Sequence, residues 1–460
     1  MFRRTKHIHF IGIGGIGMSG MAELLLKLGF NISGSDKSLS EKTNQLSKLG
    51  IKIYKDHYDS NIKNCDVVVY SSAVPLDNPE INEANRMKIP VIRRAEMLGE
   101  LLKVKNTSIA IAGTHGKTST SSILGSILTE SKLEPTLVIG GIVNKFQTNA
   151  ISGNGDIIVV EADEFDRSFL TLQPTMCVVT NLDLEHLDCY ENLEDLSKTF
   201  AQFCNATPFY GTIALCTDSE NVRNIIPLIK KPIVTYGIKS NANYQVKNIR
   251  FDKTSSKFNV IANNKNLGEV ELNVPGKHNI QNTLGAISIA LELEIPFSKI
   301  KNGIYSYTGV RRRFEIRFKT KNDIIVIDDY AHHPAEVAAT LEAAKSGWNR
   351  RIISIFQPHL YSRTRDFYKE FAKVFMETDI LIITDIYPGR EIPILGVTSQ
   401  IIIDEIKKLK YKNIYFVDDL KKIPKLVASI AKQSDMIITM GAGNIWRQCE
   451  PIARELDNER

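Results

Sequence analysis

Apolar residues fall into short runs separated by stretches of helical spacing, and this alternation occurs in three successive blocks. His7 to Ile13 alternates as a strand, Met18 to Leu28 repeats apolar positions at helical spacing, and Asn31 to Ser35 opens the next strand. Cys65 to Tyr70 reads as a further strand, and the block closes near Val104. A second block opens with the strand Thr107 to Ala112 and a helix from Ser119, followed by strands at 156–160, 175–179 and 212–215. From about 233 to 275 the pieces are short, polar-rich and β-like, which predicts a small antiparallel addition before a helix at 280–293. The third block has an apolar strand ending in Asp328-Asp329, a helix at 335–344, and strands at 352–356, 380–384, 414–417 and 436–440. Strands alternating with helices predict parallel sheets.

Two glycine-rich turns give the first two blocks their chemistry. Ala112-Gly113-Thr114-His115-Gly116-Lys117-Thr118 lies between a buried strand and a helix. Successive backbone N–H groups and the helix N-terminus make an anion nest there. Lys117 would neutralise the β- and γ-phosphates of ATP, and the Thr118 hydroxyl would ligate Mg²⁺. The turn departs from the usual phosphate-loop spacing, because Ile111 stands where its first glycine is expected. In the first block Gly12-x-Gly14-x-x-Gly17, accompanied by Gly15 and followed by Asp36, is a dinucleotide fingerprint. It places a diphosphate on a helix N-terminus without choosing between NAD and a UDP-sugar. The reading is thus α/β in three domains: a Rossmann-like domain (1–105), a central phosphate-loop ATPase domain with a small antiparallel addition (106–319) and a Rossmann-like C-terminal domain (320–460).

Composition narrows the class. Of 460 residues, 43% are hydrophobic and 24% charged, as in ordinary globular proteins. The net charge of +6 is spread without any run of five basic residues, which suits anionic substrates and is only a weak nucleic-acid signal, so no nucleic-acid partner is expected. Six cysteines without CxxC spacing read as buried thiols in a reducing compartment. The basic start, Arg3, Arg4 and Lys6, precedes glycines and Glu23 rather than a signal-peptide core, and no run is apolar enough to span a membrane. The expectation is a cytoplasmic protein without membrane insertion.

Further polar clusters sit at strand ends, where open α/β sheets bind ligands. Glu161-Ala162-Asp163-Glu164 offers hard oxygens, so Glu161 is a candidate Mg²⁺ ligand. Thr180 to Asp188 carries His186 as a second candidate ligand, with Asp188 in support. Gly309-Val310-Arg311-Arg312-Arg313-Phe314 suits phosphate recognition. Asp329 and His332 follow one strand of the third block, and His359 and Arg363 follow another.

Together with Pro275-Gly276-Lys277-His278-Asn279-x-x-Asn282 and Met440-Gly441-Ala442-Gly443-Asn444, these elements resemble the Mur ligases from His7 to Trp446, with the motifs in the same order. The resemblance implies a UDP-sugar on Gly12, Gly14, Gly15, Gly17, Asp36, Ser71 and Ser72. It implies ATP on Gly113, Thr114, His115, Gly116, Lys117, Thr118 and Ser119, with His278, Asn279 and Asn282 on the adenine side and Arg313 and Asp329 near the nucleotide. Thr118, Glu161 and His186 would hold magnesium, and His332, His359 and Arg363 would serve the acyl and amino-acid end. The implied reaction is ATP-dependent attachment of L-alanine to the carboxylate of UDP-N-acetylmuramate, by a monomer or homodimer. A recycling ligase that attaches a whole peptide to the same sugar nucleotide is the alternative within the family. Outside it, an NAD-dependent dehydrogenase leaves Lys117 unexplained, and an ATP-gated binding protein leaves the arginines and histidines of the third block unexplained. Glu185 stands where relatives usually carry Asp, and Gly389 where Ala is expected; Lys198 follows His186 without an established equivalence to the family's carbamylated lysine.

Overall fold

The computed structural model describes residues 5–71, 73–183, 189–389 and 391–458. They form two compact units: 1–248 with 258–270 and 281–308, and 249–257, 271–280 and 309–460.

The first unit contains a five-stranded parallel sheet in the order Lys52–Lys55, Asn31–Asp36, His7–Ile11, Val67–Tyr70, Val91–Arg93. Ile8, Phe10 and Ile11 are fully buried because helices cover both faces, so this central strand is apolar without a strict alternation. Strand order reverses about His7–Ile11, and the turn after it therefore opens into a crevice. Helix Ile16–Lys27, with Gly15 as its N-cap, starts two residues before the Met18 start expected from spacing, since glycine-rich turns carry no apolar signal.

A ten-stranded sheet follows. Within it Thr107–Ala112 is flanked in parallel by Met176–Val179 and Ile157–Glu161. The polar 233–275 region supplies Tyr244–Asp252, Ser255–Ala262 and Lys265–Leu272 at one edge of this sheet. Asn263 and Asn264, both at positive φ (46° and 66°), form a two-residue turn between the last two, as a hairpin requires. Helix Lys117–Glu130 buries Ile123, Leu124, Ile127 and Leu128. Gly303 permits Phe297–Tyr305 to pack tightly on it, because a Cβ there would overlap the Ile127 backbone.

The second unit is built on a six-stranded sheet in the order Glu315–Lys319, Ile325–Asp329, Met436–Met440, Ile352–Phe356, Ile380–Thr384, Ile414–Val417. Only the first of these runs antiparallel to its neighbour. Glu315–Lys319, which precedes the third block in the sequence reading, thus pairs within the third sheet. Among the described residues, no helix is long and apolar enough to cross a membrane. The six cysteines are free, and five are buried.

Candidate active site

The phosphate loop is built by its glycines. Gly113 has φ +127° and Gly116 φ +84°, regions that other residues adopt only with strain. A Cβ on Gly113 would overlap the Thr180 hydroxyl, and one on Gly116 would overlap the Asn282 amide. The sequence-predicted Gly116 and Asn282 are thus brought into contact. His115 N donates to Asn181 Oδ1 at 2.8 Å, and Thr114 Oγ1 accepts from Asp183 N at 2.9 Å. Ser119 is buried in the first helical turn.

Lys117 lies at the N-terminus of the helix, with Nζ 2.6 Å from Glu164 Oε2 and 2.6 Å from Gly113 O. Burial opposes its charge, but Glu164, Asp163 and Glu161 outweigh burial, so its pKa is raised and the ammonium persists. Thr118 Oγ1 donates to Glu161 Oε2 at 3.1 Å, while Glu161 Oε1 accepts from Gly140 N at 2.6 Å and Ser121 Oγ at 3.2 Å. A hydroxyl and a carboxylate at this separation are an oxygen pair of the kind magnesium takes, leaving most of its positions to water and phosphate. No group of three or more His, Cys, Asp or Glu side chains able to hold a metal occurs among the described residues. His186 and Asp188, with Glu185, lie outside the described residues.

In the first sheet, Gly12 has φ +79° and Gly14 N donates to Asp36 Oδ2 at 2.9 Å. Gly15 caps the helix, and Gly17 faces the Arg94 guanidinium, 3.3 Å from where its Cβ would stand. Ser71 Oγ accepts from Ala73 N, and Ser72 lies outside the described residues. Arg94 Nη2 is 3.6 Å from Asp163 Oδ2. Both residues line a cleft of about 240 Å³ with Tyr70, Val74, Arg93, Phe165 and Asp166. Arg94 was not singled out from the sequence, since Arg93-Arg94 at a helix start reads as an ordinary charged face.

The second unit gathers another cluster. Asp329 is buried and accepts from Phe314 N at 2.7 Å and Ala331 N at 2.8 Å. Burial raises its pKa to about 6, against the pull of Arg313. Arg313 lies 3.5 Å from Glu336 and over the Tyr330 ring. Arg312, by contrast, is committed to the fold: it binds Asp328 at 2.8 Å and Gly441 O at 2.6 Å, so the arginine run does not supply three phosphate ligands.

His332 Nδ1 is 2.9 Å from Tyr330 O and 3.2 Å from Glu336 Oε2. His359 Nδ1 is 3.2 Å from Arg363 Nη1, and its ring stands between those of His332 (5.6 Å) and Tyr387 (5.9 Å). Burial, first of all, lowers the pKa of His332 to about 3 and of His359 and His278 to about 4. All three are therefore neutral near pH 7. A carbonyl only accepts, so His332 carries its proton on Nδ1 and presents a lone pair on Nε2. A guanidinium only donates, so His359 accepts on Nδ1 and presents an N–H at Nε2. Asn279 Nδ2 binds Pro275 O at 2.7 Å within the same unit. Tyr330, Glu336 and Tyr387 carried no sequence signal of their own.

A fingerprint crevice, a phosphate loop with its lysine and paired oxygens, and a third sheet bearing neutral histidines define a three-domain nucleotide-dependent ligase class. The chain belongs to the Mur ligase family. It matches the family's catalytic domain over residues 7–106, its middle domain over 111–290 and its glutamate ligase domain over 312–443. It is 48% identical to the UDP-N-acetylmuramate–L-alanine ligase of Geotalea daltonii, with 99% of both chains covered. Its identity to the enzyme of the same name from Geobacter sulfurreducens is 46%, over the full length of both. Among solved structures, UDP-N-acetylmuramate-alanine ligase from Thermotoga maritima superposes with a TM-score of 0.84 at 30% identity, covering 99% of this chain and 100% of that one. A murein peptide ligase from Psychrobacter arcticus shares the fold, with a TM-score of 0.72 at 23% identity and 99% coverage of each chain.

Proposed function

We propose that this chain joins L-alanine to the carboxylate of UDP-N-acetylmuramate at the expense of ATP, as a step in peptidoglycan precursor synthesis. The observation that carries the reading is the continuity inside the first unit. Gly17 abuts Arg94, Arg94 faces Asp163 across the cleft, and the next residue, Glu164, holds Lys117 of the phosphate loop. A sugar nucleotide on Gly12, Gly14, Gly15 and Gly17 would thereby lead its carboxylate toward the phosphate loop, with Asp36, Ser71 and Ser72 beside the nucleotide. The full-length likeness to relatives that carry this activity in their names supports the same conclusion.

The chemistry follows from the groups present. The substrate carboxylate oxygen attacks the γ-phosphorus and the bond to the β-bridging oxygen breaks, releasing ADP. Lys117 offsets charge on the transferred group, and the loop N–H groups orient it. Magnesium on Thr118 and Glu161, with His186 as a further candidate ligand, would supply charge neutralisation when bound. The amine of L-alanine then attacks the acyl carbon, and the tetrahedral intermediate expels phosphate.

His332 and His359 suit the amino acid. The lone pair on His332 Nε2 accepts from the amine, while His359 Nε2–H and Arg363 donate to the carboxylate. Asp329 and Arg313 would serve the nucleotide, and His278, Asn279 and Asn282 its adenine side. The proposed domains that carry these ligands are 1–105, 106–319 and 320–460, with Glu315–Lys319 at the end of the second pairing in the sheet of the third.

The test is phosphate release from ATP and magnesium with UDP-N-acetylmuramate, adding L-alanine or a tripeptide in parallel. Release with L-alanine, matched by a product one alanyl residue heavier, is expected. Release with the tripeptide alone would assign the recycling reaction instead, and release with neither would refute the ligase reading.

A further inference from the structure

Lys117 has no proton to spare for a phosphate in this structure. Its ammonium has three N–H groups, and three acceptors surround Nζ: Glu164 Oε2 at 2.6 Å, Gly113 O at 2.6 Å and Thr114 O at 3.4 Å. Two of these are carbonyls of the loop itself. Lys117 can turn toward a bound phosphate only by releasing an acceptor, and Glu164 is the one not built into the loop.

Glu164 differs from the neighbouring Glu161 in a telling way. Glu161 is satisfied by Thr118, Ser121 and the Gly140 N–H. Glu164 is buried, only 3% exposed at its side chain, and its Oε1 has no hydrogen-bond partner among the described residues. Its backbone is fixed, because the Tyr190 hydroxyl donates to Glu164 O at 2.6 Å. The loop N–H of His115 is likewise taken by an oxygen of the protein, Asn181 Oδ1, at 2.8 Å.

We propose that Glu164 is a positioning residue that acts as an internal stand-in for phosphate, holding Lys117 so that an incoming nucleotide must displace it. This rests on the reading of the loop as the ATP site. It has a consequence of definite sign. Removing the Glu164 charge abolishes a competitor for Lys117 and a like charge beside the incoming phosphates, so nucleotide affinity rises. General damage to the loop lowers it.

The experiment is calorimetric titration of ADP, with magnesium and with EDTA, into the wild-type protein, Glu164→Gln and Glu164→Ala, with folding followed by circular dichroism. Glutamine keeps an acceptor for Lys117 without the charge, and alanine is the second variant should glutamine perturb folding. Both are expected to bind ADP about tenfold more tightly than wild type under both conditions. In steady-state assays KM for ATP falls while kcat does not rise. Unchanged or weaker binding in both variants would overturn the proposal. Tighter binding with EDTA but weaker binding with magnesium would overturn it too, by making Glu164 a metal ligand. Wild-type protein that binds no ADP would remove the ATP-site reading itself, whereas wild-type binding without a gain in the variants removes only the role of Glu164.

Discussion

Replacing Lys117 by alanine should do two separable things. The first is catalytic: on the proposed reading Lys117 is the main cation near the transferred phosphoryl group, and its loss is expected to cost at least about 10²–10³ in turnover. The second is structural and follows from the same contact. Lys117 and Glu164 are 17% and 3% exposed at their side chains and 2.6 Å apart. Removing one partner of a buried pair leaves an uncompensated charge, at a cost of about 3–5 kcal/mol. The transition of a central domain of this size should fall by about 6–20 °C. The deficit has a pH signature. Burial raises the Glu164 pKa above its unfolded value even against the pull of Lys117, and loss of Lys117 raises it further, so stability is retained below the ordinary glutamate range and lost as pH rises through the folded pKa. The variant should therefore lie near wild type at about pH 4 and fall behind toward neutrality. Adding Glu164→Gln to Lys117→Ala should recover most of the stability and none of the turnover. The assay is differential scanning calorimetry from pH 4 to 8, alongside phosphate release. A pH-independent deficit, or a double variant no more stable than Lys117→Ala, would refute the buried-pair reasoning. Near-normal turnover in Lys117→Ala would refute the ATP assignment.

Gly113→Ala should destabilise by about 2–5 kcal/mol in urea unfolding, since it forces an alanine to φ +127° and into the Thr180 hydroxyl; a cost below about 1 kcal/mol would show that the loop relaxes freely. At Gly14 φ is unstrained and a Cβ meets the Asp36 carboxylate at 2.8 Å and the Thr43 methyl at 3.1 Å, so Gly14→Val should weaken UDP-sugar binding and leave ADP binding intact. A fall in ADP affinity instead would reverse the assignment of ligands to loops. By NMR, His332 should titrate near pH 3 and His278 and His359 near pH 4, not near 6.5. These folded pKa values are depressed, so their contribution to stability is present above the unfolded value and lost as pH falls through 4. His332→Gln should flatten that acid loss, and midpoints near 6.5 in the folded protein would contradict the burial argument.

The sequence by itself determined the three α/β blocks, because buried parallel strands read as apolar runs and the helices between them as periodic ones. It also picked out the glycine turns and Lys117, which suit the proposed nucleotide sites because close approach to phosphate leaves little choice but glycine, and neutralising it calls for a cation. It identified Glu161, His332, His359 and Arg363 as candidates because each lies at or near the carboxyl end of a strand. Tertiary structure alone decided the partners. Glu164 stands in the quoted acidic run beside Glu161, yet only folding closes the 47 residues that separate it from Lys117. Arg312 and Arg313 are adjacent and look alike; packing commits the first to Asp328 and leaves the second beside Glu336. Arg94 gains its meaning from Gly17 and Asp163, which no spacing rule connects. Glu80 reads as an ordinary residue of a helix start, but in the fold it is fully buried among Ser35, Asn61, His9 and His57. Periodicity encodes which face of an element is buried, a local property of the chain. Which charge meets which is set by long-range packing, and that information exists only once the strands are in register.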